Sequence, residues 1–143
     1  MKELLKKQLK QQKGFTLIEL LAVIVILAII LLIAIPAVGT LMDNSQKDAH
    51  IANAQQLESA AKLYFTDNRI NNGTVSADTL KEKGYLDDFE DPSGRGYSTA
   101  QVTVETSDGK VTYKVKLEPY FQKEITDTSK LTRDDVTLDL KDQ

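Results

Sequence analysis

The chain has 143 residues, of which 27% are charged and 41% are hydrophobic, and its formal net charge is −3. This length suits one modest domain beside a membrane anchor, and a chain without cysteine cannot be held by disulfides or by cysteine-bound zinc. Residues 43–143 carry 13 Lys and Arg against 19 Asp and Glu, a net charge of −6. This acidic balance does not indicate a nucleic-acid-binding groove.

The chain begins with a basic segment and continues into a long apolar run. Residues 1–13 hold five lysines and one acid, and residues 20–42 hold no charge at all. Such a run can cross a hydrocarbon layer of about 30 Å as a helix, and flanking lysines keep their end in the cytoplasm. Glu19 lies at the start of the run. An ionised carboxylate would cost about 2.5–3.5 kcal/mol near the bilayer centre and less near the interface, so its position needs a reason.

Two simple interpretations of this segment leave Glu19 unexplained. A secretory signal peptide would be cut after its apolar core at small residues, and Ala34, Ala37 or Gly39 could supply that site. A plain single-pass anchor accounts for the lysines and the apolar run. Neither gives Glu19 a role, and the anchor also leaves the Gly14–Phe15 junction without one.

The run Lys-Gly-Phe-Thr-Leu-Ile-Glu-Leu-Leu-Ala-Val at 13–23 closely resembles the hallmark of the type IV prepilins, and Pro36 matches the helix proline of many pilins. The resemblance implies cleavage between Gly14 and Phe15 by a prepilin peptidase and N-methylation of Phe15. It also implies that Glu19 is the acid needed for assembly. The predicted parts are therefore a leader at 1–14, a transmembrane and filament-core helix at 15–42, and an extracellular head at 43–143.

Simple electrostatics agrees with this interpretation of Glu19. After cleavage, the amine of Phe15 and the carboxylate of Glu19 share one face of a helical turn. The acid can pair with its own amine in a monomer or with a neighbour's amine in a staggered bundle. A wrong stagger would bury an unpaired charge, so Glu19 would set the register. Pro36 cannot donate to the carbonyl of Leu32, so Pro36 and Gly39 predict either a kink or local unwinding.

The apolar periodicity predicts that the helix continues over residues 43–68 and ends at the turn 71–73. Its buried stripe should contain Ile51, Ala54, Leu57, Ala61, Tyr64 and Phe65. A second, short helix is predicted over 76–83, capped by Ser76 and stopped by Gly84. The segments Lys-Gly-Tyr-Leu and Asp-Pro-Ser-Gly that follow resemble the helix-to-sheet loop of Gram-positive pilins and of major pseudopilins.

Alternating apolar residues predict a hairpin with strands at 97–106 and 110–118 around the turn 107–109. Phe121 and Ile125 should pack beneath it, 119–134 reads as a loop, and Val136, Leu138 and Leu140 predict a further strand over 135–140. The expected fold is α+β, the type IV pilin fold, in which a long N-terminal helix packs under an antiparallel sheet of three or four strands.

No catalytic or cofactor site is predicted. Asp87, Asp88, Glu90 and Asp91 are candidate Ca²⁺ ligands, with a solvated acidic loop as the simpler reading. His50, the sole histidine, is expected on the surface, and the tyrosines at 85, 97, 113 and 120 are expected in the core or at the sheet edge. No base is available for a catalytic triad, so we expect no enzyme.

The expected function is that of a structural subunit of a type IV pilus-like filament, made as a single-pass precursor of the cytoplasmic membrane and then displayed at the cell surface. The expected partners are copies of the chain, a prepilin peptidase, an assembly platform with its ATPase, and membrane lipid before assembly. The alternatives are a pseudopilin of a type II secretion or DNA-uptake apparatus, and a monomeric membrane-anchored binding module. DNA stays a possible partner that the charge does not indicate.

Overall fold

The computed structural model describes residues 16–138. The leader, Gly14, Phe15 and Leu140 lie outside the described residues. Contacts divide the chain into two compact units, Met1–Thr40 and Leu41–Gln143. The elements in chain order are α1 (Leu17–Asp67), β1 (Gly73–Ser76), α2 (Ala77–Glu82), β2 (Thr99–Ser107), β3 (Lys110–Glu118) and two 3-10 turns (Thr128–Lys130 and Arg133–Asp135).

The described part of the first unit consists of Thr16 and helix α1 up to Thr40. Apolar residues occupy all sides of this stretch, and its large hydrophobic side chains are exposed, from Val23 at 45% to Leu17 at 86%. The helix is long and apolar enough to cross a membrane. Helices that are apolar all round are found where lipid or other apolar helices surround them.

In the second unit, helix α1 buries one stripe in the core. Ala54, Leu57, Ala61 and Phe65 are buried, and Ile51 and Tyr64 pack against them, which confirms the predicted face. The helix ends at Asp67, and Arg69 follows in the left-handed region with φ 54°. The core also takes in side chains from the sheet and from the segment after it: Val75, Val102, Val104, Val115, Leu117, Phe121, Ile125 and Val136.

The sheet has three antiparallel strands in the order β1-β2-β3. Val102 pairs with Val115 and Ser107 pairs with Lys110, so a two-residue turn joins β2 and β3. Asp108 and Gly109 both have positive φ, 51° and 75°, as a type I′ hairpin turn requires. The α+β architecture is confirmed.

Helix α2 follows β1 without a loop. The Ser76 hydroxyl accepts the backbone N–H of Thr79 at 3.2 Å and caps the helix. Gly84 follows the last turn with φ 75°, a conformation that glycine adopts without strain. Both residues take the roles predicted for them.

The prediction of a strand over 135–140 was wrong for its described part. Arg133–Asp135 forms a 3-10 turn, and residues 136–138 are not in a strand. The Asp135 carboxylate accepts the backbone N–H and the hydroxyl of Thr132, at 2.8 and 2.9 Å, and this local bonding competes with an extended strand. The third strand is instead β1, whose single buried apolar residue, Val75, gives almost no periodic signal.

Candidate functional site

The candidate assembly site is the start of α1, where Glu19 interacts with Thr16. Glu19 Oε2 accepts the backbone N–H of Thr16 at 2.8 Å and its hydroxyl at 2.9 Å, and Thr16 Oγ1 accepts the backbone N–H of Glu19 at 3.3 Å. These reciprocal bonds are a capping box, which satisfies amide groups that the first helical turn leaves unpaired. The sequence reasoning missed this local role, although Thr-x-x-Glu before an apolar run is its known signature.

The capping box sets the geometry of the one charged residue between positions 16 and 42. Both hydrogen bonds from Thr16 go to the same oxygen of Glu19, Oε2. The carboxylate is therefore held at the N-terminal end of the helix, where the helix dipole favours negative charge. A cation placed at this helix end would meet a carboxylate that is already oriented.

Pro36 and Gly39 lie within α1, which stays helical through both residues. The Thr40 hydroxyl donates to the Pro36 carbonyl at 3.3 Å, and an added Cβ at Gly39 would meet nothing within 4 Å. The missing N–H of Pro36 still deprives the Leu32 carbonyl of its helical donor. The predicted kink or unwinding of this segment in a bundle stays a prediction.

The four acids proposed as Ca²⁺ ligands do not converge. Asp87, Asp88 and Glu90 are exposed, whereas the Asp91 side chain is 1% exposed. Among residues 16–138, no three acidic, histidine or cysteine side chains are grouped as a metal site would need. Asp91 instead accepts the backbone N–H groups of Ser93, Arg95 and Gly96, at 2.7 to 2.9 Å, and the Tyr120 hydroxyl at 2.6 Å.

These hydrogen bonds make Asp91 an anchor of its loop. Burial opposes ionisation of the carboxyl group, but the bonds from Tyr120 and the three backbone amides lower its pKa below the usual value. A carboxylate that accepts this many donors fixes the turn around Pro92 and Gly94. It therefore has a structural role in the described head.

The expectation that His50 lies on the surface was wrong, because the residue is completely buried. Its Nδ1 lies 3.0 Å from the Tyr97 hydroxyl, its Nε2 lies 3.1 Å from Ser93 Oγ, and its ring stacks on Tyr120 at 3.8 Å. Burial lowers the pKa of His50, even though Asp91 Oδ1 lies 3.7 Å from Nε2 and favours the charged form. We infer a neutral imidazole, because burial outweighs this long contact.

A signal for the burial of His50 was present in the sequence. His50 lies four residues before Ala54 and seven before Leu57, so it belongs to the same buried helical row. The predicted row began at Ile51, because the polar neighbours of His50 indicated a surface position. Tyrosines 97 and 120, in turn, pack in the core cluster as predicted.

His50, Ser93 and Asp91 do not form a hydrolytic triad. In a triad the carboxylate binds Nδ1 of the histidine, opposite the nitrogen that faces the serine. Here Ser93 and Asp91 both face Nε2, and Tyr97 occupies Nδ1. The arrangement cannot activate the serine in the manner of a triad, and it serves to connect α1 with the loop 89–97.

The last described segment is tied to α1 by polar contacts rather than by a disulfide. Arg133 makes two hydrogen bonds to the Asp48 carboxylate, at 2.7 and 2.6 Å. The Thr128 hydroxyl donates to buried Glu58, and Gln55 donates to the Thr128 carbonyl at 3.2 Å. In a chain without cysteine, these bonds and the core packing hold residues 126–136 in place.

Comparison with known proteins points to one class. The family described as "Prokaryotic N-terminal methylation motif" matches residues 9–35. This match and the similarity described next support a type IV pilin-like protein, that is, a pilin- or pseudopilin-like subunit. The matching proteins are of structural pilin or pseudopilin type.

The chain is also similar to an individual protein that is named for competence. The competence protein ComGC of Halalkalibacterium halodurans is 29% identical over 92 residues, which cover 64% of this chain and 87% of that protein. No solved structure matches. The apolar helix and the motif fit a membrane-anchored precursor and a surface filament, and the class implies processing by a prepilin peptidase and assembly into a pilus-like filament.

Proposed function

We propose that the chain is the precursor of a filament subunit, cut between Gly14 and Phe15, methylated on Phe15 and polymerised through residues 15–42. The head, residues 43–143, would be exported and displayed on the filament. The observation that carries the proposal is the apolar stretch of α1 from Leu17 to Met42, which has exposed hydrophobic side chains on every side and a single charge, Glu19. Lipid before assembly and identical helices after it would both cover this surface.

The energetics support exchange between these two environments. Moving an apolar helix from lipid into a bundle of apolar helices changes the burial of apolar surface only slightly, because lipid tails are as apolar as leucine. The difference lies in the partners of the charge: in lipid Glu19 would have only partners of its own chain, Thr16 and the freed amine of its own Phe15, whereas a neighbouring copy would bring a second amine. A well-placed ion pair offsets desolvation, and a misplaced one does not, so Glu19 would select the stagger.

Orientation follows from the leader. Its five lysines would keep residues 1–14 in the cytoplasm, where the peptidase, the assembly platform and its ATPase are expected to act. We propose no metal or cofactor bound by the subunit itself.

The processing step is tested by the mass of the protein from cells with and without a prepilin peptidase. The product should begin at Phe15 and carry one added methyl group. Gly14→Ala should slow cleavage and Gly14→Leu should block it, while membrane insertion continues. A product cut after Ala34 or Gly39 would show a signal peptide and contradict the proposal.

The second candidate function is that of a pseudopilin in a DNA-uptake apparatus, favoured by the similarity to ComGC, a protein named for competence. Deletion of the gene should then abolish transformation while any separate surface pili stay intact. A major pilin would give the opposite result, with loss of surface filaments. The acidic head makes direct DNA binding by this subunit an unfavoured explanation of such a phenotype.

A further inference from the structure

His50 joins three separate segments of the head. It lies on α1, its two ring nitrogens face Tyr97 and Ser93 of the loop 89–97, and its ring stacks on Tyr120, which follows β3. Asn53, one turn later on α1, donates to the Tyr97 hydroxyl and to the Glu90 carbonyl, both at 2.8 Å. The loop is therefore fastened to α1 through a small polar cluster, His50, Asn53, Asp91, Ser93, Tyr97 and Tyr120, which we call the loop clasp.

The hydrogen-bond partners determine which nitrogen of the imidazole carries the proton. Both contacts of Asn53 in the loop clasp use its amide nitrogen, so the Tyr97 oxygen accepts a hydrogen bond. The Tyr97 O–H then has one acceptor among its described neighbours, Nδ1 of His50. Nδ1 is thus unprotonated, and Nε2–H points to Ser93 and Asp91. In this arrangement no buried side-chain nitrogen or oxygen of the described residues lacks a partner.

A second proton on His50 would have to go to Nδ1. Two donors, Nδ1–H and the Asn53 amide, would then face the Tyr97 oxygen, and the Tyr97 O–H would lose its acceptor. A buried donor without a partner destabilises the folded arrangement. The Tyr97 hydroxyl cannot relieve this by ionising, because burial raises its pKa further above an already high value.

The other titratable groups around His50 do not cancel this penalty. Asp91 attracts a charged imidazole from the Nε2 side, but its oxygens already accept four hydrogen bonds, and Oδ1 lies 3.7 Å from Nε2. Tyr120 stacks on the ring and donates its hydroxyl to Asp91. The conflict at Nδ1 lies on the opposite side of the ring from Asp91 and stays in place.

We propose that the loop clasp is a proton-sensitive latch, in which a neutral His50 holds the loop 89–97 against α1 and a protonated His50 releases it in mildly acidic solution. The latch does not depend on the proposed filament role, because every residue in it belongs to the described head. Release would expose Tyr97 and Tyr120 while the β2–β3 hairpin stays paired.

The test uses the full chain in detergent micelles. The chain has one histidine, so a single imidazole signal in the NMR spectrum reports on His50. Its titration midpoint should lie below the ordinary value of about 6.5. Between pH 7 and pH 5, opening of the loop amides measured by hydrogen exchange should rise about tenfold relative to the amides of 113–117 in the same molecule.

Two substitutions separate the latch from simple burial. Tyr97→Phe removes the conflicting hydroxyl and should move the His50 midpoint back toward 6.5, whereas the matched control Tyr85→Phe, elsewhere in the head, should leave it unchanged. His50→Gln should remove the pH dependence of loop opening. A midpoint above 6.5 would show an ion pair with Asp91 and overturn the proposal, as would loop exchange that follows 113–117 at both pH values.

Discussion

The two units of the chain place their apolar side chains in opposite ways. From Leu17 to Met42 every large hydrophobic side chain of α1 is exposed, whereas from His50 onward the same helix buries one stripe in a core. One helix thus carries two different distributions of apolar side chains. Hydrophobicity alone therefore does not define a core: the first unit exposes its apolar residues, whereas the second unit packs one stripe of them against the sheet.

The largest expected effect is on the first unit. Glu19→Gln keeps an oxygen that can accept from Thr16, so the cap survives, but it removes the charge. We expect filaments to fall below detection by electron microscopy, while the amount of membrane-inserted protein stays unchanged. The loss follows from the missing ion pair with the freed amine.

Thr16→Val is the complementary variant, since it removes the capping hydroxyl and keeps the charge of Glu19. We expect it to assemble, with fewer filaments than the parent chain. Normal filaments in Glu19→Gln together with none in Thr16→Val would mean that the cap, and not the charge, is what assembly requires.

Core substitutions in the second unit should reduce stability without affecting insertion. Leu57 is completely buried, and Leu57→Ala should lower the free energy of unfolding by about 3 kcal/mol through cavity formation. Leu63, on the same helix and 53% exposed, is the matched control, and Leu63→Ala should cost at most about 0.5 kcal/mol. Denaturant unfolding of the full chain in micelles, followed by tyrosine fluorescence, measures both; equal losses would show that this core does not hold the head.

The charge of Asp91 also stabilises the second unit, and removing it gives a further test. Asp91→Asn should cost about 2 kcal/mol at pH 7, because the new amide group faces donors that the carboxylate accepted. The lowered pKa of Asp91 stabilises the fold above the unfolded value of about 3.9, and this contribution is lost as pH falls through the folded value. Asp88→Asn, at an exposed loop position, is the control; if the two variants unfold alike, Asp91 does not anchor the loop.

The smallest effect is expected at the surface of the head. Arg133 and Asp48 are each about half exposed, and an exposed ion pair contributes up to about 1 kcal/mol. A double-mutant cycle of Arg133→Ala and Asp48→Ala should give a coupling energy in this range that decreases at high salt. A coupling energy of 2 kcal/mol or more would show that the C-terminal segment is held mainly by this ion pair.

The sequence predicted best where a periodic pattern coincides with strong end signals. The buried stripe of α1, the Ser76 cap and the Asp108-Gly109 turn all follow from local rules, and the structure confirms each. The position of Glu19 beside a predicted cleavage site followed from the motif. Its capping box with Thr16 is equally local, but the prediction for Glu19 used only its charge.

The failures have both local and tertiary causes. Val136 and its aspartate neighbours alternate like a strand, but Thr132 and Asp135 close a 3-10 turn, and Thr137 bonds to the Tyr120 carbonyl. β1 exists because β2 offers it a partner, which no local pattern can show. His50 is buried because distant tyrosines and Ser93 satisfy its nitrogens.

The proposed assembly depends most on which group Glu19 contacts when copies of α1 pack together. A cryo-electron microscopy structure of the assembled filament would answer this directly. It should show a chain that starts at Phe15, with the carboxylate of Glu19 about 3 Å from the terminal amine of a neighbouring copy. A filament in which Glu19 bonds only to its own Thr16, or in which residues 1–14 are still attached, would contradict the account.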